Sequence, residues 1–171
     1  MQPAAAVSSG LGKIVVEALQ DHDIDLGAYV ADHLLSEVAG ELRAVDGFEL
    51  LTMTREDEGL GVLAGACVAG RPGMMLMQSS GFGLCMNALA SFVLPYQIPI
   101  PMLVGLRGDV GEFNIAQIAG GQAVGRICES LGIPYEAPSS LEEMAYVLPG
   151  MVTTCLSTER PICIGIRRDL R

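Results

Sequence analysis

The apolar positions of this chain alternate between short continuous runs and longer stretches of helical spacing. Residues 10 to 20 carry the helical spacing, and Ile24 to Val30 form an apolar run ending at Ala31-Asp32-His33. A helix over 34 to 45 leads into a strand from Phe48 to Met53, followed by a helix over 56 to 69. The unit then recurs. Gly73 to Met77 reads as a short buried strand, Gly83 to Phe92 as a helix, and Ile100 to Leu106 as a proline-flanked strand ending at Arg107-Gly108-Asp109. Gln117 to Leu131 and Ser140 to Ser157 are further helices, and Pro161 to Ile166 is the last strand before a basic tail.

Short apolar runs separated by helices predict an α/β fold with a mainly parallel sheet flanked by helices, because parallel neighbours need crossover connections of this length. Ligands of such sheets bind outside the carboxyl ends of the strands. Those ends carry Asp32, Arg55-Glu56, Gln78-Ser79-Ser80 and Arg107-Gly108-Asp109, so the polar residues gather on one edge. No linker is long enough to divide the chain, and residues 1–171 are expected to form one domain.

Composition narrows the partners. Ten Lys and Arg stand against twenty Asp and Glu, and the net charge of -10 repels phosphate backbones and anionic lipid, which argues against nucleic acid and membrane surfaces. Any anionic substrate must therefore be held by local cations. Met1 to Val7 lacks a basic segment followed by a signal-type apolar core, and the strongest apolar stretches are broken by Gly, Pro or polar residues, so a soluble, cytoplasmic protein is expected. The five cysteines are odd in number, contain no C-x-x-C pair and read as buried free thiols.

Three generic motifs fall away on inspection. Gly59-x-Gly61-x-x-x-Gly65 is one residue too long for a dinucleotide fingerprint, and acidic residues crowd the place of a pyrophosphate. The small residues at 59, 61, 64, 65, 66 and 69 read more simply as a helix face packed closely on a neighbour. Ser79-Ser80-Gly81 lacks the G-x-S-x-G elbow and reads as a turn. Asp109 lacks the second glycine of a GDG start, so no metal site of the chain's own is expected. Glu56 stays open between two readings: a surface carboxylate compensating a helix dipole beside Asp57 and Glu58, or a carboxylate serving a cofactor.

The run Thr54-Arg55-Glu56-Asp57-Glu58-Gly59-Leu60-Gly61-Val62-Leu63-Ala64-Gly65-Ala66, followed by Met75-Leu76-Met77-Gln78-Ser79-Ser80-Gly81-Phe82-Gly83 and Asn87-Ala88-Leu89, resembles the pyrimidine-binding domain of thiamine diphosphate enzymes. More narrowly it is similar to the family of sulfopyruvate decarboxylase α subunits and the related phosphonopyruvate decarboxylases. The resemblance extends from Val30-Ala31-Asp32-His33 through Pro95-Tyr96-Gln97-Ile98-Pro99 and Arg107-Gly108 to Gly132-Ile133-Pro134-Tyr135.

It implies a set of roles. Glu56, not Glu58, becomes the activating glutamate, because the family places a glycine nine residues later and Gly65 meets that spacing. Its carboxyl group would lie against N1′ of the cofactor's aminopyrimidine and favour the imino form, whose 4′-nitrogen takes the thiazolium proton. Asp32 matches the acidic residue near the substrate carboxylate, though Ala31 precedes it where relatives often carry Pro. Gln78, Ser79, Ser80, Gly81 and Phe82 are expected to bind the cofactor. Arg107 first and His33 second are candidates for the sulfonate or phosphonate end of the substrate, with Gln117 reaching in if its loop folds over the site; Arg107 also reads as a solvated or intersubunit residue. The resemblance further implies thiamine diphosphate and Mg2+, the latter and the diphosphate bound through a separate β subunit. The expected assembly is a homo- and hetero-oligomer, self-associating through residues 59 to 69. The implied reaction converts the small anionic 2-oxo acid 3-sulfopyruvate to sulfoacetaldehyde and CO2, with 3-phosphonopyruvate as runner-up. The rival class is a non-catalytic flavodoxin-like binding or scaffold subunit.

Overall fold

Continuous runs such as Met74-Met75-Leu76-Met77 and Ile162-Cys163-Ile164 have no polar face to turn outwards, so both sides of the strand must be covered. A computed structural model, describing residues 10–170, shows how. Met1 to Val7, on which the expectation about a signal-type segment rests, lies outside the described residues. Six strands pair entirely in parallel: β1 (Leu26–Tyr29), β2 (Glu49–Thr52), β3 (Gly73–Gln78), β4 (Pro101–Gly105), β5 (Tyr135–Glu136) and β6 (Ile162–Ile166), in the order β2-β1-β3-β4-β6-β5.

Helices α1 (Gly10–Gln20), α2 (Ser36–Ala44) and α7 (Leu141–Thr158) cover one face, where Val15, Val38, Leu42, Leu148 and Val152 pack with Met74, Leu76, Leu103 and Ile164. Helices α3 (Glu56–Val68), α4 (Ser79–Leu84) and α6 (Ile115–Leu131) cover the other, where Leu60, Leu63, Phe82 and Val124 meet Met75, Met77, Met102 and Val104. Alternate residues of one strand thus serve opposite cores, as the two-residue period of a strand dictates.

Two expectations are corrected and one strand is added. Ser79-Ser80-Gly81 is not a turn but the opening of α4, which runs through α5 (Met86–Ala88) into a π-helical turn at Leu89–Val93. Glycines at 81 and 83 weaken the helical signal, yet burial of Phe82, Cys85 and Leu89 on one face overrides the propensity. The two-residue β5 escapes any periodicity argument. The small-residue helix does not pack as one face either. A Cβ on Gly59 would stand 2.9 Å from the Met75 sulfur, and Ala64 is buried, whereas Gly61 and Gly65 face open space.

The segment 106–114 joins β4 to α6 and leaves Val110, Phe113 and Ile115 exposed. It is pinned from inside by Glu112, whose side chain is only 5 % exposed and accepts the Asn114 N–H at 3.1 Å. Asn114 in turn caps α6 by accepting the Ala116 N–H at 3.1 Å. The Asn114 N–H, with that of Gly108 adding, holds the Glu112 carboxyl below its ordinary range against the opposing effect of desolvation. A depressed folded pKa gives stabilisation that is present above the unfolded value, about 4.3, and lost as pH falls through the folded one. Hydrogen exchange, corrected for intrinsic rates, is expected to show the Gly108 and Asn114 amides losing protection relative to the sheet on acidification, and Glu112→Gln abolishing that dependence. Protection that stays constant in the wild-type chain contradicts the clasp.

Candidate active site at the carboxyl edge of the sheet

The chain leaves β1 towards β2 on one side and returns to β3 on the other, so the carboxyl ends of β1 and β3 bound the crevice where a parallel sheet binds ligands. Asp32 follows β1, Gln78 ends β3 and Arg107 follows β4. The fold brings these three into contact. Asp32 Oδ1 accepts Gln78 Nε2 at 2.9 Å and Arg107 Nη2 at 2.8 Å. Its Oδ2 accepts the backbone N–H groups of Leu34 at 2.8 Å and Leu35 at 3.3 Å. The Asp32 side chain has no exposed surface and that of Arg107 only 13 %, so Arg107 is not a solvated residue. Gly105 provides the room: a Cβ there would lie 2.7 Å from Asp32 Oδ2.

Glu56 opens α3 at the neighbouring strand end, and its two acidic neighbours separate from it. Asp57 forms a two-pronged bond with Arg55 at 3.0 and 2.9 Å, and Glu58 accepts from Thr54 Oγ1 at 3.1 Å; both partnerships are exposed and local. Glu56 is half-buried, turns towards α4 and makes no hydrogen bond among the described residues. A Cβ on Gly81 would overlap the Glu56 carboxyl group, so only glycine leaves it that position. One turn further on, burial pushes the Cys85 thiol up to about 12, with the charges of Glu56 and Asp57 adding to the effect. The surface reading therefore suits Asp57 and Glu58, while the Glu56 carboxyl lies over Gly81 with no hydrogen bond among the described residues.

The other predicted residues divide by exposure. Ser80 is exposed and donates to Gln78 Oε1 at 2.9 Å, while Ser79 and Phe82 are buried at 1 % and 0 % exposure and belong to the packing beneath α4. His33 lies exposed just beyond Asp32, its carbonyl accepting from Ser36 Oγ at 2.9 Å. Gln117 sits half-buried in the first turn of α6, and the structure gives it no contact with Asp32 or Glu56. Sequence reasoning missed the glycines that shape the site. Gly105 shelters Asp32, and Gly121 lets α6 press on the Arg107 backbone so closely that a Cβ would overlap it. Nothing in a glycine's local pattern announces such a contact. Among the described residues, no three His, Cys, Asp or Glu side chains gather as a metal site requires.

An all-parallel sheet flanked by helices, with an anchored carboxylate at its switch point and a second carboxylate at the next helix start, defines an α/β domain with polar groups gathered at the carboxyl edge. No protein-family model matches the chain. Individual proteins do. The chain is 37 % identical over 150 residues to sulfopyruvate decarboxylase subunit alpha of Methanothermobacter thermautotrophicus, covering 88 % of this chain and 91 % of that one. The corresponding subunit of Methanococcus maripaludis is 34 % identical over 150 residues, with 88 % and 90 % covered. A longer sulfopyruvate decarboxylase from Methanosarcina acetivorans is 31 % identical over 147 residues, which span 86 % of this chain but 37 % of that protein. The chain belongs to the sulfopyruvate decarboxylase α-subunit family.

The overlap at Gly81 makes a direct prediction. Gly81→Ala is expected to drive the Glu56 carboxyl off α4, as seen in the structure of the variant, while Gly65→Ala, in the helix interior and facing open space, is expected to stabilise the chain by roughly 0.5–1 kcal/mol. A Glu56 side chain unmoved in Gly81→Ala contradicts the geometry.

Proposed function

We propose that this chain is the α subunit of a thiamine diphosphate-dependent decarboxylase that converts 3-sulfopyruvate to sulfoacetaldehyde and CO2, and that it contributes the pyrimidine-binding half of the site. The observation that carries the reading is the Glu56 carboxyl group held over Gly81 at the start of α3, with no hydrogen-bond partner among the described residues. Membership of the α-subunit family supports the reaction. The residues fit the cofactor's pyrimidine: Glu56 supplies a carboxyl group to share a proton with a ring nitrogen, and Gly81 keeps α4 clear of it. When bound, the cofactor supplies an electron sink for the carbon–carbon bond that breaks as CO2 leaves.

The chain's own residues do the rest. Glu56 would hold the proton shared with that ring nitrogen. Gln78 and Ser80 line the crevice beside it, and the buried Ser79 and Phe82 keep the start of α4 rigid. Arg107 offers a planar cation to the sulfonate in a protein whose overall charge of -10 repels it. His33 and Gln117 stand at the same edge as second contacts. The diphosphate and Mg2+ fall to a separate β subunit, a division supported by the longer Methanosarcina relative, of which this chain spans little more than a third. The exposed stripe of Gly61, Val62, Gly65 and Val68 on α3, with Leu84, Met86, Phe92 and Tyr96 nearby in sequence along α4 and after it, is the surface offered to other subunits, including a second copy of this chain.

Mixing the chain with its partner tests the reading. Glu56→Gln is expected to lower decarboxylation roughly a hundredfold or more with folding intact, the scale for a positioned acid-base group, while Glu58→Gln stays near wild type. The wild-type mixture is expected to prefer sulfopyruvate over pyruvate by orders of magnitude in kcat/KM and over phosphonopyruvate by less. Full turnover in Glu56→Gln, or equal efficiency with pyruvate, contradicts the assignment; a chain that sediments as a strict monomer with and without its partner contradicts the interface.

A further inference from the structure

A carboxylate has about four lone-pair positions for hydrogen bonds. In Asp32 all four are taken: Gln78 Nε2 and Arg107 Nη2 on Oδ1, and the Leu34 and Leu35 amides on Oδ2. The side chain has no exposed surface, and Gly105 closes the remaining side at close approach. No surface or lone pair is left for a ligand, and every neighbour on the carboxylate is an N–H donor. The resemblance implied that Asp32 stands beside the substrate carboxylate. We infer instead that Asp32 is a positioning residue that acts through Arg107 and Gln78, neither touching the substrate nor exchanging a proton with it.

The consequences run outwards along both partners. Because the carboxylate demands a donor from Gln78, the amide is fixed with Nε2 inwards and Oε1 towards Ser80, whose hydroxyl proton is thereby committed at 2.9 Å. Ser80 then shows its lone pairs, not its proton, to the crevice. On Arg107, Nη2 is held by Asp32, and Nε is buried with no hydrogen-bond partner among the described residues. Nη1 is neither buried in that way nor hydrogen-bonded among the described residues, so it is the nitrogen presented to an anion. Fixing a long cationic side chain before the ligand arrives reduces the ordering cost of binding. The inference rests on the proposed function insofar as it assigns the anion to a sulfonated 2-oxo acid.

A double-mutant cycle in the reconstituted assembly tests it, using Asp32→Asn, Arg107→Gln and the double variant. Asp32→Asn is expected to raise KM for sulfopyruvate about tenfold or more while leaving kcat within about threefold and the pH profile of kcat unchanged. Added to Arg107→Gln, it is expected to have a clearly smaller further effect, because only the route through Gln78 remains. Loss of a limb of the pH profile, a hundredfold fall in kcat, or effects that multiply across the cycle overturn the inference and make Asp32 an independent acid. If Asp32→Asn alone does not fold, the double variant, which removes both charges, is compared with Arg107→Gln, and a further fall in kcat overturns the inference. Equilibrium binding of sulfoacetate as a non-reacting probe supplies an arm free of turnover, expected to follow the same cycle. A wild-type assembly inert on sulfopyruvate sinks the function while the probe still decides the role of Asp32; failure of wild type to bind the probe overturns the inference.

Discussion

One buried carboxylate holds three strand ends together. Asp32 follows β1, and its two oxygens collect a side chain from the end of β3, a guanidinium from beyond β4 and two backbone amides from the turn leading towards α2. Breaking a buried pair by removing one partner costs about 3–5 kcal/mol, because the other charge is left stranded. A domain of this size has only about 5–15 kcal/mol of stability in total. The relative placement of the strand ends therefore depends on this network, and so does everything mounted on them. Tyr29 strengthens the anchorage from below: its hydroxyl donates to the Asp32 carbonyl and accepts the Asp32 N–H, both at 3.0 Å.

The neighbouring carboxylate shows the opposite design. Glu56 has no hydrogen-bond partner among the described residues and lies against a glycine, with a buried thiol one helical turn beyond. Two acidic groups on the same edge thus have different capacities. Asp32 is saturated by four N–H donors, and on the inference drawn above its influence passes through Arg107 and Gln78. Glu56 has its lone pairs free. On the proposed reading, this difference separates the residue that builds the site from the residue that handles a proton in it.

Much of the frame was legible in the sequence because burial on both faces gives parallel strands unbroken apolar runs, and every strand of that kind was found. Most ends were read a residue or two too long, as at Ile24 to Val30 against Leu26–Tyr29, since apolar residues continue past the last ladder bond, whereas β3 runs one residue further, to the polar Gln78. Glycine hid the start of α4, whose burial outweighs its poor propensity, and two residues are too few to reveal β5. Glu56 was singled out by resemblance and by its place at a helix start. What picks it from Asp57 and Glu58 physically is its contact with α4, which no local pattern contains. Asp32 was singled out by resemblance, but its four hydrogen bonds were not legible, because they depend on Gln78, Arg107 and Gly105 converging from distant parts of the chain.

The account's central claim is that this chain offers a carboxyl group to the pyrimidine half of thiamine diphosphate and depends on a second chain for the other half. Calorimetric titration with thiamine diphosphate and Mg2+, of the chain alone, of its partner alone and of the two mixed, tests this most directly. Saturable binding is expected only in the mixture and is expected to weaken when the mixed chain carries Glu56→Gln. Tight binding by this chain alone, or binding by the mixture that is indifferent to Glu56→Gln, would contradict the account.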